Sequence, residues 1–399
     1  MKRKSKFLIS MLVLTTFLTY CKSSNLELAE INPTDSLITY DLKVLPERTT
    51  LKLTDLGAIN IQYIPLETTE QNVMTGIQKI IKSRNFFLIR NNSDIYMFRF
   101  DGSFVTKIGI RGRGPDEFTV VHDVEVNPRN ETIYLIDGWQ QKFLVYSNTG
   151  ELIRTFKYPL RASVDFEFTE DGILCYNRNS MGDIETSFIL IDTMGTILRS
   201  YPNKYPWIRN FPTSAFPSEN IFYHYGDRLI KKEIYCDTLY IYKNKDFRPY
   251  TIIDIGDRRL SPKIRTEYDF LSIDQNCLIQ KTLFEFAEYL YYRFGVHYDG
   301  RIEGLSFIGS KDGNLQILLD PEKDLINDLD GGPNILPRTA WDDSTVVSWI
   351  DAFDLKTFVN SEFFKNKKPN NPKMKEEIKK LADKLKDIDN PVLIFIKFK

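Results

Sequence analysis

The sequence predicts an all-β protein, a six-bladed β-propeller of four-stranded antiparallel blades with a C-terminal amphipathic helix and a terminal ring-closing strand. Two observations lead to this fold class. Short apolar runs rich in β-branched and aromatic residues alternate with Asn, Asp and Gly at a spacing of roughly 8 to 12 residues, which is typical of strands joined by tight turns. The whole pattern then recurs at a spacing that suits one propeller blade, about 40–50 residues.

The clearest unit is the segment Lys107–Tyr158. In it, Val124 and Val126 alternate with polar neighbours, and two apolar runs follow at Ile133–Ile136 and Phe143–Tyr146. A last run ends at Phe156, and Asn, Asp or Gly separates each run from the next. The segment therefore predicts one complete four-stranded sheet.

The pattern repeats on both sides of this unit. Ile95–Gly102, Phe143–Gly150 and Phe188–Gly195 each place an apolar strand before a turn glycine, and the glycines are 48 and 45 residues apart. Further candidate strands follow less regularly at Asp237–Tyr242, Tyr250–Ile255, Glu288–Phe294 and Thr345–Phe353, the last as the inner strand of a sixth blade. Six blades of about 50 residues fit within the 399-residue chain as one domain, residues 37–399.

The C-terminal end has a different period. Residues 373–389 predict a helix with one apolar face, made of Met374, Ile378, Leu381, Leu385 and Ile388. Acidic and basic residues are mixed on its other faces, which favours packing on the domain over binding to a membrane surface. Residues 392–398 then predict a strand, and Ile61–Leu66 is available as its partner from the other end of the chain. This pairing would close the ring.

The N-terminal end predicts export. Residues 1–20 combine a basic start with a 14-residue apolar core, too short to cross a bilayer, and Cys21 follows directly. We expect a lipoprotein signal peptide with lipid attachment at Cys21, then a polar tether over residues 21–36. An ordinary cleaved secretory signal is the alternative. Lipidation would hold the protein in the bacterial cell envelope, at the periplasmic or surface face of the outer membrane.

Composition and residue spacing exclude several function classes. Lys plus Arg number 53 and Asp plus Glu 54, so the chain lacks the basic excess of a nucleic-acid-binding protein. Cys175, Cys236 and Cys277 stand alone in their segments, which favours free thiols over zinc ligands or a disulfide framework. No metal site and no cofactor are expected, and we expect a monomer.

The segment Arg111–Phe118 is a glycine-rich connector, and strands follow it at Asp123–Val124, Ile133–Asp137 and Phe143–Gly150. This connector and these strands together resemble the NHL-type repeat. Asp116 stands where that repeat commonly has glycine. More narrowly, the Cys21 signal, the segment Ile64–Glu67, the connector and Asn390–Leu393 are together similar to the six-bladed β-propeller lipoproteins of gut anaerobes, a mostly uncharacterised family. The resemblance implies a fold and a location, and leaves the ligand open.

The order of strands predicts a ligand-binding rim. In a four-stranded antiparallel blade, the connector between blades and the loop between strands two and three emerge on the same side. The connector and the loop Asp137–Gln140 should therefore meet. The candidate ligand-binding residues are Arg111, Arg113, Asp116, Glu117, His122, Trp139 and Gln140.

Arginine forks recognise anionic groups and an exposed tryptophan stacks on sugar or aromatic rings, so a glycan, peptide or partner protein is expected at this rim. The alternative is that these residues only shape the connector: glycines and Pro115 set its path, Glu117 bonds backbone amides, Phe118 plugs between blades and the arginines are solvated.

Two functions of different class remain open at this point. The first is an envelope-anchored, non-catalytic binding or scaffold propeller that uses the rim. The second is a metal-dependent propeller hydrolase or lyase, of lactonase or glycan-degrading type, with its site in the central channel. Of the three histidines, His122 follows the connector and is the one whose position would let it face that channel, although a satisfied or solvent-exposed histidine is favoured over a ligand.

Overall fold

The computed structural model describes residues 37–159, 163–212, 215–298 and 300–399. The predicted signal peptide and tether, with Cys21, lie outside the described residues. Within them the chain is mostly β, and no helix there is long and apolar enough to cross a bilayer.

Six sheets each contain four antiparallel strands, and we number them from first to sixth by the place of their first strand in the described chain. The fourth and fifth sheets carry one further, parallel strand at an edge. The first contains Lys79–Lys82, Phe87–Asn91, Asp94–Phe98 and Phe104–Lys107; the second Asp123–Val126, Ile133–Asp137, Lys142–Tyr146 and Leu152–Lys157; the third Ser163–Thr169, Gly172–Asn177, Thr186–Ile191 and Ile197–Pro202. The fourth contains Asn220–Tyr225, Arg228–Glu233, Thr238–Lys243 and Asp246–Asp254; the fifth Ile279–Phe286, Tyr289–Tyr298, Arg301–Ser310 and Gln316–Leu319; the sixth Thr339–Asp342, Thr345–Ile350, Val392–Phe398 and Ala58–Pro65.

Neighbouring sheets pack face to face through apolar side chains. The second and third strands of most sheets are buried on both faces, which explains why they read as continuous apolar runs in the sequence. Phe118, in the connector between the first and second sheets, is fully buried in the layer between them. From the first sheet to the sixth, the first strand of each sheet contacts the first strand of the next.

The repeating turn glycines occupy equivalent positions. Gly102, Gly150 and Gly195 lie between the third and fourth strands of the first three sheets, with φ of 87°, 88° and 90°. Side chains rarely adopt this left-handed conformation, so glycine is required there. At Gly102 a Cβ would also lie 2.2 Å from the carbonyl oxygen of Pro65, and at Gly195 it would lie 2.8 Å from that of Lys157.

The segment before Ala58 borders the outer edges of two sheets. Ile38–Asp41 pairs in parallel with Asp246–Asp254 of the fourth sheet, and Arg48–Thr49 pairs with Gln316–Leu319 of the fifth. A small parallel pair, Leu51–Lys52 with Leu325–Ile326, and the 3₁₀ turn Thr54–Leu56 follow. This arrangement covers two sheet edges that would otherwise expose unpaired backbone groups.

The sixth sheet is assembled from both ends of the described chain. Val392–Phe398 pairs antiparallel with Ala58–Pro65 on one side and with Thr345–Ile350 on the other. The expectation that Thr345–Phe353 is an inner strand is wrong, because Thr339–Asp342 occupies that position and Thr345–Ile350 is the second strand. Phe353 lies instead in a helix that begins at Ala352.

Helices fill two long insertions between strands. Pro262–Glu267 and Phe270–Asn276 lie between the fourth and fifth sheets, and Gly256–Arg258 is a 3₁₀ turn before them; Ala352–Asn360, Glu362–Asn366 and Pro372–Lys384 lie between the second and third strands of the sixth sheet. The last helix ends at Lys384 rather than at residue 389, because the backbone turns at Lys386–Asp389. Ile388 is therefore 80% exposed, while Ile378 and Ala382 are buried in the adjoining cluster.

Candidate functional site

The connector Arg111–Phe118 and the loop Asp137–Gln140 lie against each other, and we call the surface they form the connector-side rim. Lys142, the first residue of the strand that follows this loop, donates to the carbonyl oxygens of Gly114 at 3.2 Å and Pro115 at 2.9 Å. The two loops are separated by two strands in the sequence, so the antiparallel order of the second sheet is what brings them together.

Asp137 organises the rim. Its carboxylate is fully buried and accepts hydrogen bonds from the backbone N–H and hydroxyl of Thr119, at 2.6 Å and 2.8 Å, and from the backbone N–H of Trp139 and Gln140, at 3.0 Å and 3.1 Å. Burial would raise the pKa of Asp137, but these hydrogen bonds outweigh it and lower the pKa. The buried anion therefore holds the backbone on both sides of the rim.

Four of the candidate residues present their side chains to solvent. Arg111, Arg113 and Asp116 are exposed, and Trp139 is 76% exposed. Among the described residues, neither arginine has a side-chain hydrogen bond or ion pair. Their guanidinium donors are accordingly available to an anionic group from outside the chain.

Glu117 and Gln140 have structural contacts within the rim. The carboxylate of Glu117 accepts the backbone N–H of Gly114 at 2.8 Å. The amide of Gln140 donates to the carbonyl oxygen of Glu117 at 3.3 Å and to the carboxylate of Asp137 at 3.0 Å. These two side chains shape the backbone that carries the exposed residues.

His122 lies at the rim and is not among the described residues that line the central cavity. Its Nδ1 accepts the backbone N–H of Gly138 at 3.0 Å, and its ring centroid lies 6.3 Å from that of Trp139. Burial lowers its pKa, aided by the charges of Arg178 and Arg90 and opposed by Asp137. A neutral imidazole fits this position because Nδ1 must keep its lone pair to accept the Gly138 N–H.

A second site, which the sequence reasoning missed, is a cavity of about 880 Å³ lined by the first strands of all six sheets. Charged side chains of the first four sheets meet there. Lys79 Nζ lies 2.8 Å from Asp123 and also pairs with Glu125, and His224 Nε2 lies 3.2 Å from Glu167. The cavity therefore has a wall of carboxylates partly neutralised by one lysine and one histidine.

The carboxylates of this wall differ in proton affinity. Burial raises the pKa of Asp165 to about 7, and the charge of Asp123 adds to the effect. Burial also raises the pKa of Glu125 well above its ordinary value, helped by the charge of Glu167. The pKa of Glu167 is lowered despite burial, because His224 hydrogen-bonds to it and Lys79 lies nearby. The cavity thus combines proton-holding and ionised carboxylates.

A repeated pattern in the sequence could have revealed this wall. Asp123-Val-Glu125-Val and Asp165-Phe-Glu167-Phe have the same alternation, and both are first strands. Side chains two apart in a strand share a face, so each pair points into the cavity from one sheet. Within the described residues, no group of three or more His, Cys, Asp or Glu side chains is arranged to hold a metal ion.

Fold and sites together define a mostly β protein of successive four-stranded antiparallel sheets, with a charged cavity lined by their first strands and a rim built from two loops. The chain belongs to the family defined by a domain of unknown function, DUF4934, whose model matches residues 37–397. No curated protein matches the sequence significantly.

Two solved structures are similar over most of their length. A candidate exported protein of Bacteroides fragilis has a TM-score of 0.70 at 18% identity, covering 91% of this chain and 100% of that one. A member of the DUF4221 family from Bacteroides vulgatus has a TM-score of 0.51 at 13% identity, covering 86% and 97%. At these identities the likeness shows the fold alone.

Proposed function

We propose that the six sheets are the blades of a closed six-bladed β-propeller. Support comes from the junction between the sixth and first sheets, where Phe87 packs edge-on against Trp341 with ring centroids 5.7 Å apart. Lys82 of the first sheet lies 3.7 Å from Asp342 of the sixth and 5.1 Å from the Trp341 ring. The likeness to the NHL-type repeat in the connector and strands of the second sheet agrees with this topology.

The same proposal includes export and lipid anchoring at Cys21 in the cell envelope. The basic and apolar leader over residues 1–20 supports it, as does the similarity in fold to a candidate exported protein. Mass spectrometry of the N-terminal peptide from envelope fractions tests the anchor: a diacylglyceryl adduct on Cys21 is expected. An unmodified N-terminus produced by cleavage elsewhere would contradict it.

The function proposed for the protein is non-catalytic binding. The connector-side rim holds an anionic glycan or an anionic peptide terminus. The observation that carries this is Trp139, which is 76% exposed on a loop fixed by the buried Asp137. A fixed loop binds with little loss of conformational entropy, and an exposed tryptophan supplies stacking area. Arg111 and Arg113 add unpaired guanidinium donors on the same rim.

Glycan and peptide arrays test this proposal. We expect binding of anionic members that is weakened about tenfold or more in Trp139→Ala and Arg113→Ala, because each loses a direct contact. The matched controls are Phe353→Ala, an exposed phenylalanine on a distant helix, and Arg99→Ala, an exposed arginine at the opposite end of the first sheet. Binding that survives both rim variants, or that favours neutral ligands, would overturn the proposal.

A hydrolase or lyase with its site in the cavity is a second candidate. It is favoured by one observation, the opposite pKa shifts of Glu125 and Glu167, since such a pair can divide the roles of acid and base. The same arrays distinguish it, because cleavage products would accumulate and would be lost in Glu125→Gln but not in Trp139→Ala. Binding without turnover favours the rim.

A further inference from the structure

A third concave site lies between the sixth and first sheets, at the end of the molecule opposite the connector-side rim, and it adjoins the cavity, with which it shares Lys82, Trp341, Asp342 and Lys397. It has a volume of about 790 Å³. Its walls include Ser83 and Arg84, from the loop between the first and second strands, and Phe100, from the loop between the third and fourth strands of the first sheet. Successive loops of an antiparallel sheet emerge at opposite ends, so these loops lie at the end of the first sheet that faces away from the connector-side rim. The pocket is therefore separate from the proposed binding site. We call it the junction pocket.

Aromatic side chains form the inner wall of the junction pocket. Trp341 meets the rings of Phe87, Phe100 and Phe395 nearly edge-on, with centroids 5.7, 5.8 and 5.0 Å away and interplanar angles of 77°, 81° and 89°. Phe100 is 40% exposed although it belongs to this cluster. The cluster therefore presents a partly exposed aromatic surface at Phe100, on which a planar apolar group can stack, while Lys82 lies 5.1 Å from the centre of the Trp341 ring.

The mouth of the pocket carries excess positive charge. Lys82 and Lys397 share one carboxylate, that of Asp342, at 3.7 Å and 3.6 Å, and their side chains are 41% and 45% exposed. Lys397 also donates to the hydroxyls of Ser344 and Thr345. Arg84 is exposed as well. The other carboxylate of the lining, Glu131, accepts hydrogen bonds from Ser83 and from the backbone N–H groups of Arg84 and Asn85. Its hydrogen-bonding capacity is thus used to stabilise the loop between the first and second strands.

Size, apolar wall and charge together select one class of ligand. Pockets that take small molecules are commonly about 300–1,000 Å³, apolar inside and set with a few polar groups. Lys82, Arg84 and Lys397 outnumber the two carboxylates of the lining, so a cation would be repelled and a neutral aromatic molecule would leave the excess positive charge uncompensated. We propose that the junction pocket binds a small aromatic organic anion, with its ring on the Trp341 and Phe100 faces and its carboxylate or sulfonate at Lys82 and Lys397.

Calorimetric titration of the purified protein with 2-naphthoate tests this. Binding is expected for 2-naphthoate and at least about tenfold weaker for its neutral alcohol analogue and its cationic ammonium analogue, which keep the ring and change only the charge. Phe100→Ala and Lys397→Gln should each weaken 2-naphthoate binding about tenfold. Phe353→Ala and Lys399→Gln are the matched controls and should bind as the unchanged protein does.

Thermal unfolding of the same variants checks that they fold. The proposal is overturned if 2-naphthoate does not bind, if the neutral analogue binds equally well, or if folded Phe100→Ala and Lys397→Gln bind unchanged. Trp139→Ala separates this site from the rim, because it should weaken array binding about tenfold or more and leave 2-naphthoate binding intact.

Discussion

The second and sixth sheets both contain four antiparallel strands, but their strands come from different parts of the chain. The second is built from one continuous segment, Asp123–Lys157, and its turns are short. The sixth combines Ala58–Pro65 with strands that begin at Thr339 and end at Phe398. Local pairing can form early at low entropic cost, whereas pairing across the chain must wait for the rest of the fold. The stability of the sixth sheet therefore depends on all the others.

The largest effect is expected from removing the strand that joins the chain ends. Deleting Val392–Lys399 leaves Ala58–Pro65 and Thr345–Ile350 without their common partner and exposes two sheet edges. We expect aggregated protein with no cooperative thermal transition, measured by size-exclusion chromatography and circular dichroism. Deleting Lys399 alone is the control. A monomeric deletion product with an unchanged melting temperature would contradict this account of the sixth sheet.

A smaller effect is expected from the second sheet, where the damage is local. Asp137→Ala leaves the backbone N–H groups of Thr119, Trp139 and Gln140 without their acceptor in a buried site. The expected loss is about 2–4 kcal/mol in the free energy of unfolding, measured by denaturant titration. The exposed Asp116→Ala should stay within about 0.5 kcal/mol of the unchanged protein. Equal effects of the two substitutions would show that Asp137 does not organise the rim.

The smallest effect concerns the carboxylate wall, to which the second and third sheets contribute acidic side chains. The pKa of Asp165 is raised from 3.8 to about 7, so the folded protein holds a proton that the unfolded chain has released. The stability contributed by this proton is complete below pH 3.8 and is lost as the pH rises through 7.

Asp165→Asn removes that dependence. Its melting temperature relative to the unchanged protein should therefore rise between pH 4 and pH 8, by about 1–3 °C. Asp227→Asn, in an exposed hairpin turn, is the control. A difference that stays constant with pH would rule out a perturbed carboxyl group at Asp165.

The two sheets also show what could be predicted from sequence. The strands of the second sheet, the turn glycines and the meeting of the two rim loops follow from local pattern and antiparallel order. Thr339–Asp342 could not be recognised, because this four-residue strand is half-buried and has no apolar run. Thr345–Ile350 is more apolar, so the sequence pattern points to it as the inner strand although it is the second.

Only part of the candidate site could be predicted, because the sequence indicates which loops a hairpin brings together but not which side chains meet when separate sheets pack. Arg111, Arg113 and Trp139 lie in two loops whose proximity depends on one hairpin. Lys79, Glu125 and Glu167 come from three different sheets, and only the packing of those sheets brings them together. The junction pocket is harder still, because Phe100 and Trp341 are far apart in the sequence and meet where the two ends of the sheet series adjoin.

The most direct test of the rim is differential hydrogen–deuterium exchange with the strongest anionic array ligand. A bound ligand should slow exchange in the connector Arg111–Phe118 and the loop Asp137–Gln140, and leave the loops around Arg84 and Phe100 unchanged. The same ligand should give no protection in Trp139→Ala. Protection confined to the cavity strands or to the junction pocket, or absence of any anionic ligand from the arrays, would contradict the proposal that the connector-side rim is the binding site.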